Sequence, residues 1–323
     1  MNITKKILAN DGLAEEGVKM LEESGFTVVT EKVEQEDLIN AINEENYVVL
    51  LVRSATTARK DLIDACPGLK IIGRGGVGMD NIDVEYARSK GIEVINTPAA
   101  SSLSVAELVM AHMFSISRSI YDSNRNMPDK GASEFKGLKK KYGKGVELRG
   151  KTLGLIGFGR IAQATAQYAI GCGMKVRMWD YKGRNFKLPF SINGSQTLEI
   201  DMKSEASLED LLKKSDFISI HVPMPSDGKP IIGNKEFSAM KDGVRIINAS
   251  RGGVIEETAL LDALNSGKVA SAALDVFVNE PSPRKDIIVH PNISLTPHIG
   301  GATVEAQGRI GTELAEKIIS KLK

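Results

Sequence analysis

The chain has 323 residues, enough for one or two domains whose cores need neither disulfides nor a structural metal. Lys and Arg number 42 against 41 Asp and Glu, a net charge of +1, which argues against a dedicated nucleic-acid binder. At 42% hydrophobic residues whole-chain disorder is excluded, and no apolar run approaches the ~18 residues of a membrane-spanning helix. Met1–Lys6 lacks the apolar core of a secretory signal, and the distant Cys66 and Cys172 read as free thiols, so a reducing cytoplasmic location is expected. Four histidines without an HxxxH pair, and the lack of a CxxC, give no reason to expect a metal.

Short β-branched runs alternate with amphipathic stretches, the pattern of βαβ units around a parallel sheet. The expected fold class is α/β, with two doubly wound parallel-sheet (Rossmann-like) domains. Strands are predicted at 6–9, 26–29, 47–52, 69–72 and 92–95, with helices at 13–24 and 37–45 among the elements between them. A long helix is expected over 101–121. The polar stretch 122–150, with Gly, Pro and Lys, reads as a loop or arm. A second strand series follows at 151–156, 174–179, 216–220, 244–247, 270–274 and 293–296, and a helix closes the chain over 303–322. Alternation around Asn193-Gly194 predicts a hairpin over 186–203, added after the second strand of this series.

Gly157-Phe158-Gly159-Arg160-Ile161-Ala162 is a GxGxxA turn between a strand and a helix, with Asp180 closing the next strand. Gly157 permits the tight turn, Gly159 lets backbone approach a pyrophosphate, and the helix N-terminus supplies free N–H groups. Asp180 would accept hydrogen bonds from the adenosine ribose and repel a 2′-phosphate, which favours NAD; Lys182 and Arg184 just beyond could instead pair with such a phosphate.

Arg251 and His298 fall just past predicted strands, where an α/β sheet lines its ligand crevice, and Glu280 follows a third strand by a short turn. The three types suit oxidation of a hydroxy acid. A histidine takes the hydroxyl proton, a carboxylate fixes its tautomer, and an arginine grips the substrate carboxylate in two-pronged fashion. Arg53 and Arg74 each follow an apolar strand, and the Gly73–Gly78 loop could present N–H groups to a carboxylate. His112, in an apolar helix, reads as a core or interface residue, whereas His221 and His290 have no partner visible in sequence.

These segments, with Arg53-Ser54-Ala55-Thr56, Gly73 to Asp83, Asn96-Thr97-Pro98 and Ser104 to Leu108, resemble the D-isomer-specific 2-hydroxyacid dehydrogenase family over nearly the whole chain. The resemblance implies a substrate-binding domain of residues 1–98 and 299–323, with an NAD-binding domain of 99–298 inserted into it. It implies catalytic roles for Arg251, Glu280 and His298. It implies NAD contacts at Gly157, Gly159, Arg160, Ile161, Asp180, Val222, Ala249, Ser250, Asp275, Gly300 and Gly301, with Asp275 facing the nicotinamide carboxamide. Substrate contacts are implied at Arg53, Ser54, Arg74, Gly75, Gly76 and Val77. The chain departs from the family pattern at Ala162, Val77 and Pro98–Ser101.

The activity implied is NAD-dependent oxidation of 3-phospho-D-glycerate, with reduction of hydroxypyruvate, glyoxylate or another 2-keto acid as the alternative. A cofactor-sensing corepressor is the reading from another class. Partners are expected to be a phosphorylated small molecule and a second copy of the chain, with no nucleic acid or membrane. Residues 130–151 hold eight Lys or Arg and two Glu, which reads either as a solvated face or as an arm bringing a cation, from Arg125 or Lys139–Lys141, to a partner's site.

Overall fold

A computed structural model of the chain describes residues 5–322; Met1–Thr4, part of the segment searched for a secretory signal, lie outside the described residues. The chain divides into two compact units, one of residues up to Ser104 together with those from Gly301 onward, the other Val105–Gly300.

In the first unit the elements run β1 Lys6–Ala9, α1 Glu15–Glu23, β2 Thr27–Val29, α2 Leu38–Glu44, β3 Tyr47–Val52, α3 Lys60–Ala65, β4 Ile71–Arg74, α4 Val84–Ser89 and β5 Glu93–Asn96. The strands form one parallel sheet in the order β2-β1-β3-β4-β5, which reverses direction of winding between β1 and β3. The central strand β3 is apolar throughout, and Val49, Leu50, Leu51 and Val52 are 2% exposed or less because core packs on both faces.

Helix α5, Ser102–Arg118, carries the chain into the second unit, where α6 Ile120–Tyr142 follows. Then come β6 Thr152–Ile156, α7 Arg160–Gly171, β7 Lys175–Trp179, β8 Phe186–Ile192, β9 Gln196–Met202, α8 Leu208–Lys214, β10 Phe217–Ile220, α9 Asn234–Ala239, β11 Val244–Asn248, α10 Glu257–Asn265, β12 Val269–Leu274, α11 Lys285–Ile288 and β13 Ile293–Leu295. Six strands form a parallel sheet in the order β13-β12-β11-β10-β6-β7, with its switch point between β6 and β10. The antiparallel β8–β9 pair stands beside it as a separate hairpin, closed by Asn193 and Gly194 in left-handed conformation at φ 50° and 68°.

The last helix, α12 Val304–Leu322, belongs to the first unit and lays Leu314, Ala315 and Ile318 into the same core as Ile7, Val49 and Ile71. It crosses α1 at glycine backbones: a Cβ on Gly17 would lie 2.7 Å from the Gly311 carbonyl carbon.

The structure corrects the reading of 122–150 as a loop or arm. Residues 120–142 are helical, with a break at Glu134 (φ −121°, ψ 21°). A straight helix would hold positions 122 and 142 about 30 Å apart. Instead Asp122 accepts from Lys141 Nζ and Tyr142 Oη, each at 2.7 Å, so the two halves fold back on one another. Lys141, one of the cations proposed to reach outward, is tied down by that bond.

Candidate active site

Every candidate site residue of the second unit sits at or just beyond a strand's carboxyl end. Gly157 follows β6 at φ 82°, its N–H donating to the Trp179 carbonyl at the end of β7 (2.9 Å). A Cβ there would lie 2.6 Å from Val222 Cγ1 and 2.7 Å from the His221 carbonyl, so only glycine lets the turn lie against the end of β10. Gly159 caps α7 with no side-chain bond, and the space where its Cβ would stand is open. The N–H groups of Arg160, Ile161 and Ala162 are left at a bare helix N-terminus. That arrangement fits a dinucleotide pyrophosphate: room over Gly159, free donors, and the positive end of the helix dipole. Asp180, at the end of β7, is 4% exposed.

Past β11, Asn248 organises the next turn. Its Oδ1 accepts from the Ser250 N–H and Oγ (3.0 and 2.8 Å), and its Nδ2 donates to the Arg251 carbonyl (2.9 Å). Ala249 packs against the core, and the Arg251 Nη1 donates to the Ser250 carbonyl at 2.6 Å. Gly252 then lies directly on the Phe277 carbonyl, where any Cβ would overlap it. The Arg251 turn is thereby locked to the turn after β12.

That second turn carries Glu280. Its Oε1 accepts from the Phe277 N–H (2.8 Å), which aims Oε2 at His298 Nδ1, 2.7 Å away. A carboxylate only accepts, so the neutral His298 tautomer that this contact selects has its proton on Nδ1 and its lone pair on Nε2. Its side chain is 41% exposed, open to a reactant. The His298 backbone is left-handed, φ 54°, a conformation that surrounding contacts must hold.

Asp275 provides that hold. Buried at 1% exposure, it accepts at Oδ1 from Thr296 Oγ1 (2.6 Å) and the Ile299 N–H (2.9 Å), and at Oδ2 from the Gly300 N–H (2.9 Å). Three of a carboxylate's roughly four acceptor positions are therefore spent clamping the residues on either side of His298, and one remains for a donor such as a carboxamide. A Cβ on Gly300 would stand 3.0 Å from Asp275 Oδ2, so a larger residue would press on the clamp. Gly301, the first residue of the other unit, accepts from Gln307 Nε2 at 2.7 Å.

His112 extends this clamp, a role its sequence context did not reveal. Because Thr296 Oγ1 spends its hydrogen on Asp275, it must accept from His112 Nε2, 2.9 Å away. The Nδ1 then accepts from Ser294 Oγ at 3.2 Å. A directed chain thus runs Ser294, His112, Thr296, Asp275, from helix α5 to the His298 turn. The polar Ser294 within β13 and Thr296 just after it, both facing α5, were the available signal. His221 is different: burial drives its imidazole down to about 3, and among the described residues the ring bonds to Ser219 Oγ (2.9 Å), which suits packing beneath the Gly157 turn.

In the first unit, Arg53, Ser54, Arg74, Gly75, Gly76 and Val77 gather at the carboxyl ends of β3 and β4. Asp11 accepts from the Arg53 N–H, the Thr56 N–H and Thr56 Oγ1, while Asn81 bonds the Arg53 and Thr56 carbonyls and receives Arg74 Nε at 3.0 Å. The half-buried Arg53 guanidinium has no partner among the described residues. Ser54 is exposed. The loop's expected offer of N–H groups is narrower than its glycines suggested. Gly75 donates to the Val52 carbonyl (2.9 Å) and Gly76 to the Arg74 carbonyl (3.0 Å), so Val77 is the first residue of the loop whose N–H has no acceptor among the described residues. Gly76, at φ 150°, lies against Arg74, whose Nη1 a Cβ would crowd at 2.5 Å.

Residues 110–300 match the model of the D-isomer specific 2-hydroxyacid dehydrogenase NAD-binding domain. The chain is 43% identical to a hydroxypyruvate reductase of Thermotoga maritima, over 98% of both chains. It is 41% identical to a D-3-phosphoglycerate dehydrogenase of Methanocaldococcus jannaschii, over 98% of this chain but 57% of that longer protein. A glyoxylate reductase structure from Paecilomyes thermophila superposes with a TM-score of 0.83 at 29% identity, covering 100% of this chain and 96% of that one. The chain therefore belongs to the D-isomer-specific 2-hydroxyacid dehydrogenase family. It is an NAD-dependent oxidoreductase acting on 2-hydroxy acids. No described helix is long and apolar enough to cross a membrane.

The buried relay makes stability depend on pH. Burial holds the His112 imidazole below its usual value of 6.5, so the native state keeps it neutral where the unfolded chain takes up a proton. Stability is expected to fall as pH drops from 7 to 5, by at most about 1.4 kcal/mol per pH unit for this one group. His112→Leu should flatten the decline when unfolding midpoints are compared across that range; an unchanged slope would contradict a neutral buried His112.

Proposed function

We propose that this dehydrogenase acts on 3-phospho-D-glycerate, giving 3-phosphohydroxypyruvate, the entry step of L-serine synthesis, in the cytoplasm. The observation that supports a phosphorylated acid is the unpartnered Arg53 guanidinium, half-buried at the end of β3. A cation held there without a carboxylate is suited to a doubly charged phosphate. In this reading Arg74 and the Val77 N–H assist it, and Ser54, Gly75 and Gly76 shape the turn.

Gly157, Gly159, Arg160, Ile161 and Val222 would hold the dinucleotide phosphates and adjoining sugar, and Ala249, Ser250, Asp275, Gly300 and Gly301 the nicotinamide end. When bound, NAD supplies the hydride acceptor. Arg251 pairs with the substrate carboxylate and steadies charge on the 2-oxygen. His298 Nε2 takes the proton of the 2-hydroxyl as the C2 hydride departs, and Glu280 stabilises the imidazolium that forms. Reduction of the keto acid runs through the same groups in reverse, with His298 donating.

A second reading, reduction of unphosphorylated hydroxypyruvate, is supported by the end-to-end match to the Thermotoga relative. Reduced-nicotinamide absorbance separates the two. The phosphorylated pair, assayed in both directions, is expected to exceed D-glycerate and hydroxypyruvate in kcat/KM by at least about tenfold, the worth of one charge-assisted contact. Equal or greater turnover of the unphosphorylated pair would replace the first reading by the second. His298→Ala is expected to lower kcat roughly 100- to 10,000-fold while dinucleotide affinity is retained.

A homodimer is part of the proposal. Phe114, Ile120, Met127 and Phe135 on α5 and α6 are 43–57% exposed, and Phe114 lines a groove of about 820 Å³ together with Met110, Tyr168 and Phe190. So much apolar surface on two helices suits a second copy. Light scattering should return twice the 34.9 kDa chain mass, and Phe114→Glu with Phe135→Glu should return one; a monomeric wild type would contradict it.

A further inference from the structure

The turn after β7 holds a feature that an adenosine site does not need. Asp180 Oδ1 accepts from the Lys182 N–H (3.0 Å), the Arg184 N–H (3.4 Å) and Arg184 Nε (3.1 Å), and Oδ2 accepts from Arg184 Nη2 (2.8 Å). Gly183, at φ 63°, folds the chain so that Arg184 returns onto the carboxylate. The guanidinium side holds the Asp180 carboxyl below the usual carboxylate range, Arg184 being the leading cause.

Two consequences follow from counting donors and charges. A carboxylate has roughly four acceptor positions, and four donors already occupy this one. Ribose hydroxyls must therefore compete for them. The pair also carries no net charge, so the repulsion by which a lone aspartate excludes a 2′-phosphate is cancelled. Meanwhile the Arg184 side chain stays 56% exposed over the Phe186 ring (5.3 Å), and nothing among the described residues bonds its Nη1. Lys182 adds a second cation at the same turn, its Nζ 5.4 Å from the Tyr181 ring centroid.

We propose that Arg184 sets the cofactor preference of this chain: paired with Asp180, it makes a neutral, donor-rich seat for the adenosine 2′ position, so that NADP(H) binds as well as NAD(H). The charge comes from the loop that leads into the β8–β9 hairpin rather than from the phosphate-binding turn. The proposal rests on the dinucleotide site but not on the identity of the acid.

Calorimetric titration of the intact protein with NAD+ and with NADP+, in the absence of any acid, tests it. The two dissociation constants are expected to agree within about tenfold. Arg184→Gln should weaken NADP+ by about tenfold or more and NAD+ by less than threefold, with Arg184→Lys between. Adenosine 2′,5′-bisphosphate, used as a fragment, should raise the melting temperature of the wild type and not of Arg184→Gln. Wild-type binding of NADP+ more than a hundredfold weaker than NAD+ would overturn the proposal while leaving the NAD site standing. A ratio that Arg184→Gln shifts by less than twofold would overturn it too.

Discussion

The buried carboxylate of Asp275 is the constraint on which the site depends. It grips the N–H groups of Ile299 and Gly300 and the hydroxyl of Thr296, and between them stands His298 with a backbone conformation that costs about 1–3 kcal/mol unless its surroundings impose it. Because β12 and β13 are neighbours in the sheet, the carboxylate after one and the histidine after the other meet without a long loop. The same adjacency brings Glu280 to His298. Gly252 on the Phe277 carbonyl adds Arg251 to the assembly through β11. Three consecutive parallel strands thus bring together the three side chains proposed to be catalytic, on turns held by hydrogen bonds to backbone groups.

Much of this was legible in the sequence, for identifiable reasons. The glycine turn, its strand and helix, and Asp180 follow a spacing set by the geometry of one βαβ unit, so they can be read locally. Asn193-Gly194 announces its hairpin because few other residue pairs accept two left-handed conformations in a row. The parallel strands are short apolar runs between turn residues, and the structure keeps all eleven with ends shifted by at most two residues.

The illegible parts are those decided by distant partners. Pro128, Gly131 and Gly137 marked 122–150 as irregular, yet the segment is helical and turns back at Glu134, with Asp122 joining its two ends. His112 looked like an ordinary buried histidine because Ser294 and Thr296 lie more than 180 residues away. Glycines 75 and 76 suggested a ring of free donors, but register with Val52 consumes one and the tight turn another. The positions of Arg53 and Arg184 could be read; that the first's guanidinium has no partner among the described residues and the second covers Asp180 depends on packing.

The central claim is that His298 and Glu280 act as one proton-transferring unit. A double-mutant cycle in kcat/KM, comparing Glu280→Gln, His298→Ala and the pair, tests this most directly. If Glu280 works through His298, removing it should matter little once the imidazole is gone, and the double variant should be about as slow as His298→Ala alone. Losses that multiply independently would contradict the account and make Glu280 a separate contributor.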